Sequence, residues 1–489
     1  MAPSAARGQC PPAWVAGVGT PGTNGDVSAM AVLPGGDVIV GGTFTAAGGL
    51  SANRIARYNP STGVWSALGS GTNGRVRALA VLPGGDVIVG GDFNIAGGVP
   101  ANNIARYNPS TGVWSALGAG TNNGTNNSVY SLAVLPGGDV IAGGTFNTAG
   151  GVSALRIARC NPSTGVWSAL GAGIDNTVFS LAVLPGGDVL AGGFFTTAGG
   201  VSTNRIARYN PSTGVWSALG PWNSALVYAL AVLPGGDVIV GGNWDVAGGA
   251  SACIARYNPS TGVWSALGSG TNNTVFSVAV LPGGDVIAGG AFTTAGGVSA
   301  NRIARYNPST GVWSALGSGI SAQVNALAVL PGGDVLAGGL FTAAGGVPAN
   351  NIARSFPGAP SPGILWQPVP FVATVSGPAV FTVVPSANIG GVLTYQWYKN
   401  GTIISTSTNS TANAPTLYIS SVQAGDLGSY SCMVTNTCGS TLSNPAVLSF
   451  VRPTCGPSDV AGPGQSAGSD GQLTADDIIV FLNRFFAGC

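Results

Sequence analysis

Few side chains in this sequence are able to do chemistry, and the usual ones are missing. The chain of 489 residues contains no histidine, no glutamate and a single lysine, Lys399. That inventory removes histidine-based nucleophilic triads, histidine-bound zinc or copper, and Schiff bases on the repeated part of the chain. Aspartate, arginine, hydroxyls and aromatic rings remain. Seven aspartates share one setting, Pro-Gly-Gly-Asp (Asp37, Asp86, Asp139, Asp188, Asp237, Asp285, Asp334), and seven arginines share another, Ile-Ala-Arg (Arg57, Arg106, Arg159, Arg208, Arg256, Arg305, Arg354). Each such pair is expected to meet as a partly buried ion pair that serves the scaffold. Four other aspartates, Asp26, Asp92, Asp175 and Asp245, stand where the copies differ. Cleavage of a glycan would need two carboxylates roughly 5 to 9.5 Å apart, and in this region only these four are free to supply them.

The settings recur because the chain recurs. A block of about 49 residues appears seven times between Trp14 and Phe356, with Ala-Val-Leu-Pro-Gly-Gly-Asp starting at Ala31, Ala80, Ala133, Ala182, Ala231, Ala279 and Ala328. Repeats of this length build solenoids or propellers. Each block holds four short β-rich runs separated by Pro-Gly-Gly, Ala-Gly-Gly and Asn-Pro-Ser-Thr-Gly turn chemistry. Four antiparallel strands, a to d, make one propeller blade. The first block begins late, at a strand-d run from Pro12 to Gly17, and the last stops after strand c at Arg354. The N-terminal run is therefore expected to complete the seventh blade, which removes an open sheet edge.

Connectivity puts the a–b and c–d turns on one face, where the copies are nearly identical. The b–c and d–a loops fall on the other face, where they vary. At the start of strand a, one slot reads Ser28, Arg77, Tyr130, Phe179, Tyr228, Phe276 and Asn325 around the ring. Arg77, Tyr130, Phe179, Tyr228, Phe276 and Asn325, with the unmatched Trp222, are the candidate ligand-binding residues. Loops on a rigid scaffold carry binding, and aromatic faces with a few polar groups suit a glycan or peptide. Packing between neighbouring blades is the structural alternative.

The double glycine ending strand b (Gly41-Gly42), the tyrosine in strand c (Tyr58) and the tryptophan opening strand d (Trp65) resemble kelch and galactose-oxidase-like propellers across residues 12–356. The resemblance implies the fold. An oxidase of that type needs copper-binding histidines, so no catalytic residue carries across. A net charge of +1 gives no electrostatic case for nucleic acid or an anionic membrane. No apolar run approaches the roughly 20 residues of a membrane span.

Residues 357–363 form a Pro-rich linker. Residues 364–452 resemble an immunoglobulin-like domain: Tyr395-Gln396-Trp397-Tyr398 reads as strand C, and Asp426 to Cys432 as the tyrosine corner leading into strand F. Strand B, Ala379 to Val383, has no cysteine, so the usual inter-sheet disulfide is excluded. Cys438 is a candidate partner for Cys432, with connectivity open.

Within residues 455–489, Asp470 to Asp477 ahead of the helical run Ile478 to Phe486 resembles the second half of an EF-hand-type calcium loop and its exit helix. The resemblance implies one Ca2+ held by Asp470, Asp477, the Gln472 carbonyl and Thr474, with Asp459 as first ligand ahead of a lengthened loop. The segment ends Gly-Cys and is similar to dockerin domains, which implies docking to a cohesin-like receptor. Dockerins carry two calcium units, and one is found here. A helix capped at Thr474 without metal is the alternative. Cys455 and Cys489 bracket this small module as a candidate disulfide staple, which favours an extracellular or cell-surface setting. Residues 1–13 lack the apolar core of a signal peptide, as expected of a processed or trimmed start.

The expected fold class is mainly β: a seven-bladed β-propeller, an immunoglobulin-like β-sandwich and a short C-terminal EF-hand-like loop-helix. The expected function is non-catalytic binding and scaffolding. The alternatives are a glycan-acting enzyme using aspartates and a purely structural adhesin.

Overall fold

The structure is a computed structural model and describes residues 13–15, 22–118, 123–220, 226–244, 252–356, 362, 364–385, 393–436 and 439–451. The chain divides into two compact units, Pro11–Gly358 and one drawn chiefly from Ala359–Cys489.

The first unit is a ring of seven four-stranded antiparallel sheets. Blade 2 gives the plan: strand a is Arg75–Val81, b Val87–Asp92, c Ile104–Asn108 and d Val113–Ala116, paired in that order. Alternation sets strand a, with Val76 and Ala78 buried and Arg75 and Arg77 partly exposed. Strand b is buried over Val87 to Gly91 because neighbouring blades cover both its faces. Its double glycine is fixed by close approach. A Cβ on Gly90 would stand 2.7 Å from Val129 of the next blade, and one on Gly91 2.0 Å from the Arg75 carbonyl oxygen. No side chain fits at either distance.

Repeated side chains tie each blade to the one before it. The Trp114 indole donates to the Leu68 carbonyl at 3.0 Å, and the same bond joins Trp167 to Leu117, Trp216 to Leu170, Trp264 to Leu219 and Trp313 to Leu267. Ala13–Val15 is the outer strand of the seventh sheet, with Trp14 opposite Ser355, and Trp14 donates to Leu316 at 2.8 Å. Arg354 of blade 7 donates to the Pro60 carbonyl of blade 1 at 2.8 Å. The innermost strands of blades 7 and 1 lie side by side like every other adjacent pair.

The repeated aspartate and arginine meet inside all seven blades, at 2.5 to 2.6 Å in six and in close contact as Asp86–Arg106 in the other. Antiparallel strands b and c bring them to the same edge. The Ala-Gly-Gly segment is more than a turn. In six blades it forms a two-residue hairpin, such as Ile95–Ala96 with Val99–Pro100. Its Gly97 has a φ of 59° and lies so close to Trp114 that a Cβ there would come within 2.1 Å of the ring.

In the second unit, Phe371–Ala373, Ala446–Phe450, Gly428–Asn436, Thr394–Lys399 and Thr402–Ile403 form one sheet, with Gly439–Leu442 beside Gly428–Asn436. Ala379–Thr382 pairs with Thr416–Ile419, and Ile364–Trp366 with Val384–Pro385. Phe381, Trp397, Leu417, Tyr430, Cys432 and Leu448 share one core between these sheets. The Tyr430 hydroxyl donates to the Asp426 carbonyl at 2.6 Å, the hydrogen bond of a tyrosine corner. Strand B, without cysteine, supplies Phe381, which stacks on Tyr430 at 4.8 Å and lies 6.2 Å from Trp397. Aromatic packing fills the sandwich centre, and Cys432 stays a buried thiol whose pKa burial pushes up to about 11. Cys438 lies outside the described residues, as do Asp459, Asp470, Gln472, Thr474 and Asp477. Among the described residues no helix is long and apolar enough to cross a membrane.

Candidate functional site

Every inner strand is irregular at the same place. In blade 2, Val76 pairs with Gly91 and Ala78 with Gly90, so Arg77 has no partner between them. The other blades repeat this shift at Ser28, Tyr130, Phe179, Tyr228, Phe276 and Asn325. A β-bulge leaves one residue out of the ladder and re-aims its side chain. The varied slot is thus a set of seven bulge residues held in one geometry by an unvaried frame of glycines and valines.

Side chains on these bulges touch from blade to blade. Over blades 3 to 6 they form an aromatic arc. Tyr130 meets Phe179 edge-on at 5.7 Å, Phe179 meets Tyr228 at 5.2 Å and Tyr228 meets Phe276 at 5.4 Å. The Arg77 guanidinium lies 4.7 Å over the Tyr130 ring and ends the arc in blade 2. The remaining sector is polar. Arg77 grips both oxygens of Asp92 at 2.7 and 2.8 Å. Asp26 accepts from Arg75 and Ser28 at 2.8 Å and from Asn325 at 2.7 Å, joining blades 1, 2 and 7. All seven bulge residues are half-buried. Burial raises the pKa of Tyr228, so it stays a neutral phenol. The structure therefore brings Arg77, Tyr130, Phe179, Tyr228, Phe276 and Asn325 to one end of the ring, while Trp222 lies outside the described residues.

The carboxylates available for catalysis are engaged. Asp26 and Asp92 are ion-paired. Asp175 accepts from the Thr196 hydroxyl at 2.6 Å and the Thr196 amide at 3.0 Å. Burial raises its pKa, but hydrogen bonds from Thr196 and Thr197 outweigh that and hold the carboxyl below its usual range. Asn24, Asn73, Asn126 and Asn272 cap the same amides in their own blades, so the slot is structural. Asp245 lies outside the described residues.

The repeated face is different. A concavity of about 520 Å³ there is lined by Asp237, Arg256, Asn258 and the glycines and prolines of blades 5 and 6. Where the inner strands end on this face there is an apolar mouth of about 460 Å³, lined by Val32, Val232, Val280, Pro282, Val329 and Pro331 among others. Strand c runs from the varied face to the repeated one, and Ala13 pairs with Phe356. The chain therefore enters and leaves the ring at the repeated face, and the aromatic arc sits at the opposite one.

A second varied position escaped sequence reasoning. The residue before each Ile-Ala-Arg is Arg54, Asn103, Arg156, Arg205, Cys253, Arg302 or Asn351, and all have φ between 58° and 67°. This left-handed region is uncommon for residues other than glycine. The varied arginine-or-asparagine pattern was the available signal, but nothing in it indicated the backbone.

Comparison with known families agrees with this architecture. The profile of the Rax2 C-terminal beta propeller domain matches residues 15–125 and 265–353, and that of a beta-propeller domain of unknown function matches 136–165 and 185–214. The immunoglobulin domain profile matches residues 381–449. No curated protein matches the chain. Among solved structures, a chimeric titin Z1Z2-Z1Z2 tandem is similar at 22% identity over 19% of this chain and 50% of its own, with a TM-score of 0.16. Titin domains Z1Z2 in complex with telethonin match at 26% over 19% and 48%, TM-score 0.16. The N-terminal Ig1-2 module of a Drosophila receptor protein tyrosine phosphatase matches at 20% over 26% and 74%, TM-score 0.18. The chain thus spans about half the length of the titin structures it matches. A propeller with an immunoglobulin-like domain suggests a binding or scaffold role, and both domain types are commonly non-catalytic.

Proposed function

We propose that this chain is a non-catalytic extracellular binding protein that takes a glycan or protein ligand on the varied face of a kelch-like propeller. The immunoglobulin-like domain is its spacer. The C-terminal module binds one Ca2+ through Asp470, Gln472, Thr474 and Asp477, with Asp459 as a further ligand, and docks to a cohesin-like receptor. The observation that carries the propeller reading is the bulge ring: a fixed frame holds seven side chains of five types at one end of the ring, away from where the chain enters and leaves. Engagement of Asp26, Asp92 and Asp175 in structural bonds weighs against the hydrolase alternative.

Binding of the full chain to a panel of immobilised polysaccharides and proteins, beside its Phe179→Ala variant, tests the face. Loss of the retained ligand in the variant is expected, and unchanged retention contradicts the reading. For the tail, calorimetry of the full chain with calcium is expected to give binding heat that Asp477→Ala removes. No heat at millimolar calcium returns that segment to a capped helix.

A further inference from the structure

We propose that the ligand of the varied face is an acidic saccharide, a sugar chain bearing carboxylate or sulfate groups, seated over blades 3 to 6; this rests on the varied face being the binding face. The argument begins with unmatched charge. The seven Ile-Ala-Arg arginines each have their own aspartate, and Arg75 and Arg77 are paired with Asp26 and Asp92. Arg54, Arg156, Arg205 and Arg302 belong to none of the ion pairs among the described residues. Three of these four, Arg156, Arg205 and Arg302, fall in blades 3, 4 and 6, the sector that carries the aromatic arc.

These three guanidiniums are oriented but not neutralised. Arg156 donates to the Thr145 and Phe146 carbonyls at 2.9 and 3.1 Å, and Arg302 to the Phe292 carbonyl at 3.4 Å. Arg205 lies 4.4 Å over the Phe194 ring, which is itself 43% exposed. A held, half-exposed guanidinium loses little freedom when it takes a carboxylate or sulfate, so an anion gains most there. In this sector blades 3, 4 and 6 each set one arginine before strand c and one ring on the strand a bulge, and blade 5 sets a ring with Cys253 in the arginine slot. That suits a chain whose acidic groups are separated by the C–H faces of sugar rings, which pack on Tyr130, Phe179, Tyr228 and Phe276. A nucleic acid carries a charge at every nucleotide and calls for a dense basic surface; three arginines spread over blades 3, 4 and 6 do not supply one.

Calorimetry on the full chain with polygalacturonate, its methyl ester, dextran sulfate, dextran and an oligo-dT strand tests this. Binding to polygalacturonate or dextran sulfate is expected, at least tenfold weaker for the neutral counterpart and weaker at raised salt; the two acidic polymers tell carboxylate from sulfate recognition. The triple variant Arg156→Gln, Arg205→Gln, Arg302→Gln, folded by circular dichroism, should lose at least tenfold in affinity, while Arg54→Gln in blade 1 should not. Neutral polymers binding as tightly as acidic ones, with loss in Phe179→Ala, overturn the acidic class and leave the varied face as the site. Binding that survives both Phe179→Ala and the triple variant overturns the face itself. Preference for oligo-dT, or no binding to any polymer, overturns the proposal.

Discussion

At one edge of the ring, the Leu-Pro-Gly-Gly-Asp turn repeats residue for residue in all seven blades and Asn-Pro-Ser-Thr-Gly in the first six, and the charges are spent inside the blade. Asp86 takes Arg106 and Asn108, and Arg106 reaches across to the Pro162 carbonyl of blade 3. At the opposite edge, strands of the same frame end in bulges that carry serine, arginine, tyrosine, phenylalanine or asparagine. The difference teaches that repetition and variation have separate physical jobs here. A group that completes a neighbour's hydrogen bonds cannot change in one blade alone without leaving that neighbour unsatisfied. A bulged side chain has no ladder partner to lose, so it is free to differ.

The sharpest way to break this comparison is to open the ring. Trp14→Ala removes a buried indole and its bond to Leu316 from the closing strand, so a loss of about 3 to 5 kcal/mol is expected in urea unfolding of the propeller. Ligand binding should fall with it, because both edges depend on closure. A smaller effect confined to the repeated edge is expected of Asp86→Ala: about 2 kcal/mol of stability, with ligand affinity unchanged in the folded protein. Phe179→Ala acts at the other edge. It gives up half a side chain of burial and two ring contacts, about 2 kcal/mol, and the ligand should weaken by tenfold or more. Ser355 is buried with an unpartnered hydroxyl where most other blades carry tyrosine against tryptophan. Ser355→Ala should therefore raise stability by about 1 kcal/mol.

The last expected effect, absent at neutral pH, is a dependence on alkaline pH. Burial pushes the Cys160 thiol in blade 3 up to about 12 and the Cys432 thiol up to about 11, from an ordinary value of 9.0. Between those limits the unfolded chain loses protons that the folded chain keeps, so stability falls as pH rises. Their contribution is fully present below pH 9. Removing each thiol, in Cys160→Ala and Cys432→Ala, should flatten the fall, measured as melting temperature against pH.

Much of the propeller was legible because its signals are local and repeated. Four β-rich runs between turn residues marked the strands of each blade, and the seven Asp and Arg slots announced their own pairing. The immunoglobulin-like unit, which is not repeated, was readable at Trp397 and Tyr430 because its motifs are local. What could not be read depends on distant atoms. The bulge at Arg77 arises from how Val76 and Ala78 face Gly91 and Gly90 across the sheet. The Trp114 bond ends on a carbonyl 46 residues away. The positive φ of Arg156 and Arg205, and the carbonyls and ring that hold their guanidiniums, are likewise set by atoms outside their own segment.

The division between the two faces can be tested by measuring one ligand's affinity for three proteins: the parent, Phe179→Ala with Tyr228→Ala on the varied face, and Pro282→Ala with Pro331→Ala at the apolar mouth of the repeated face. The account predicts that the first pair of changes weakens binding at least tenfold and that the second pair leaves it unaltered. Loss of affinity in the Pro282→Ala, Pro331→Ala protein, with the Phe179→Ala, Tyr228→Ala protein binding like the parent, would contradict it.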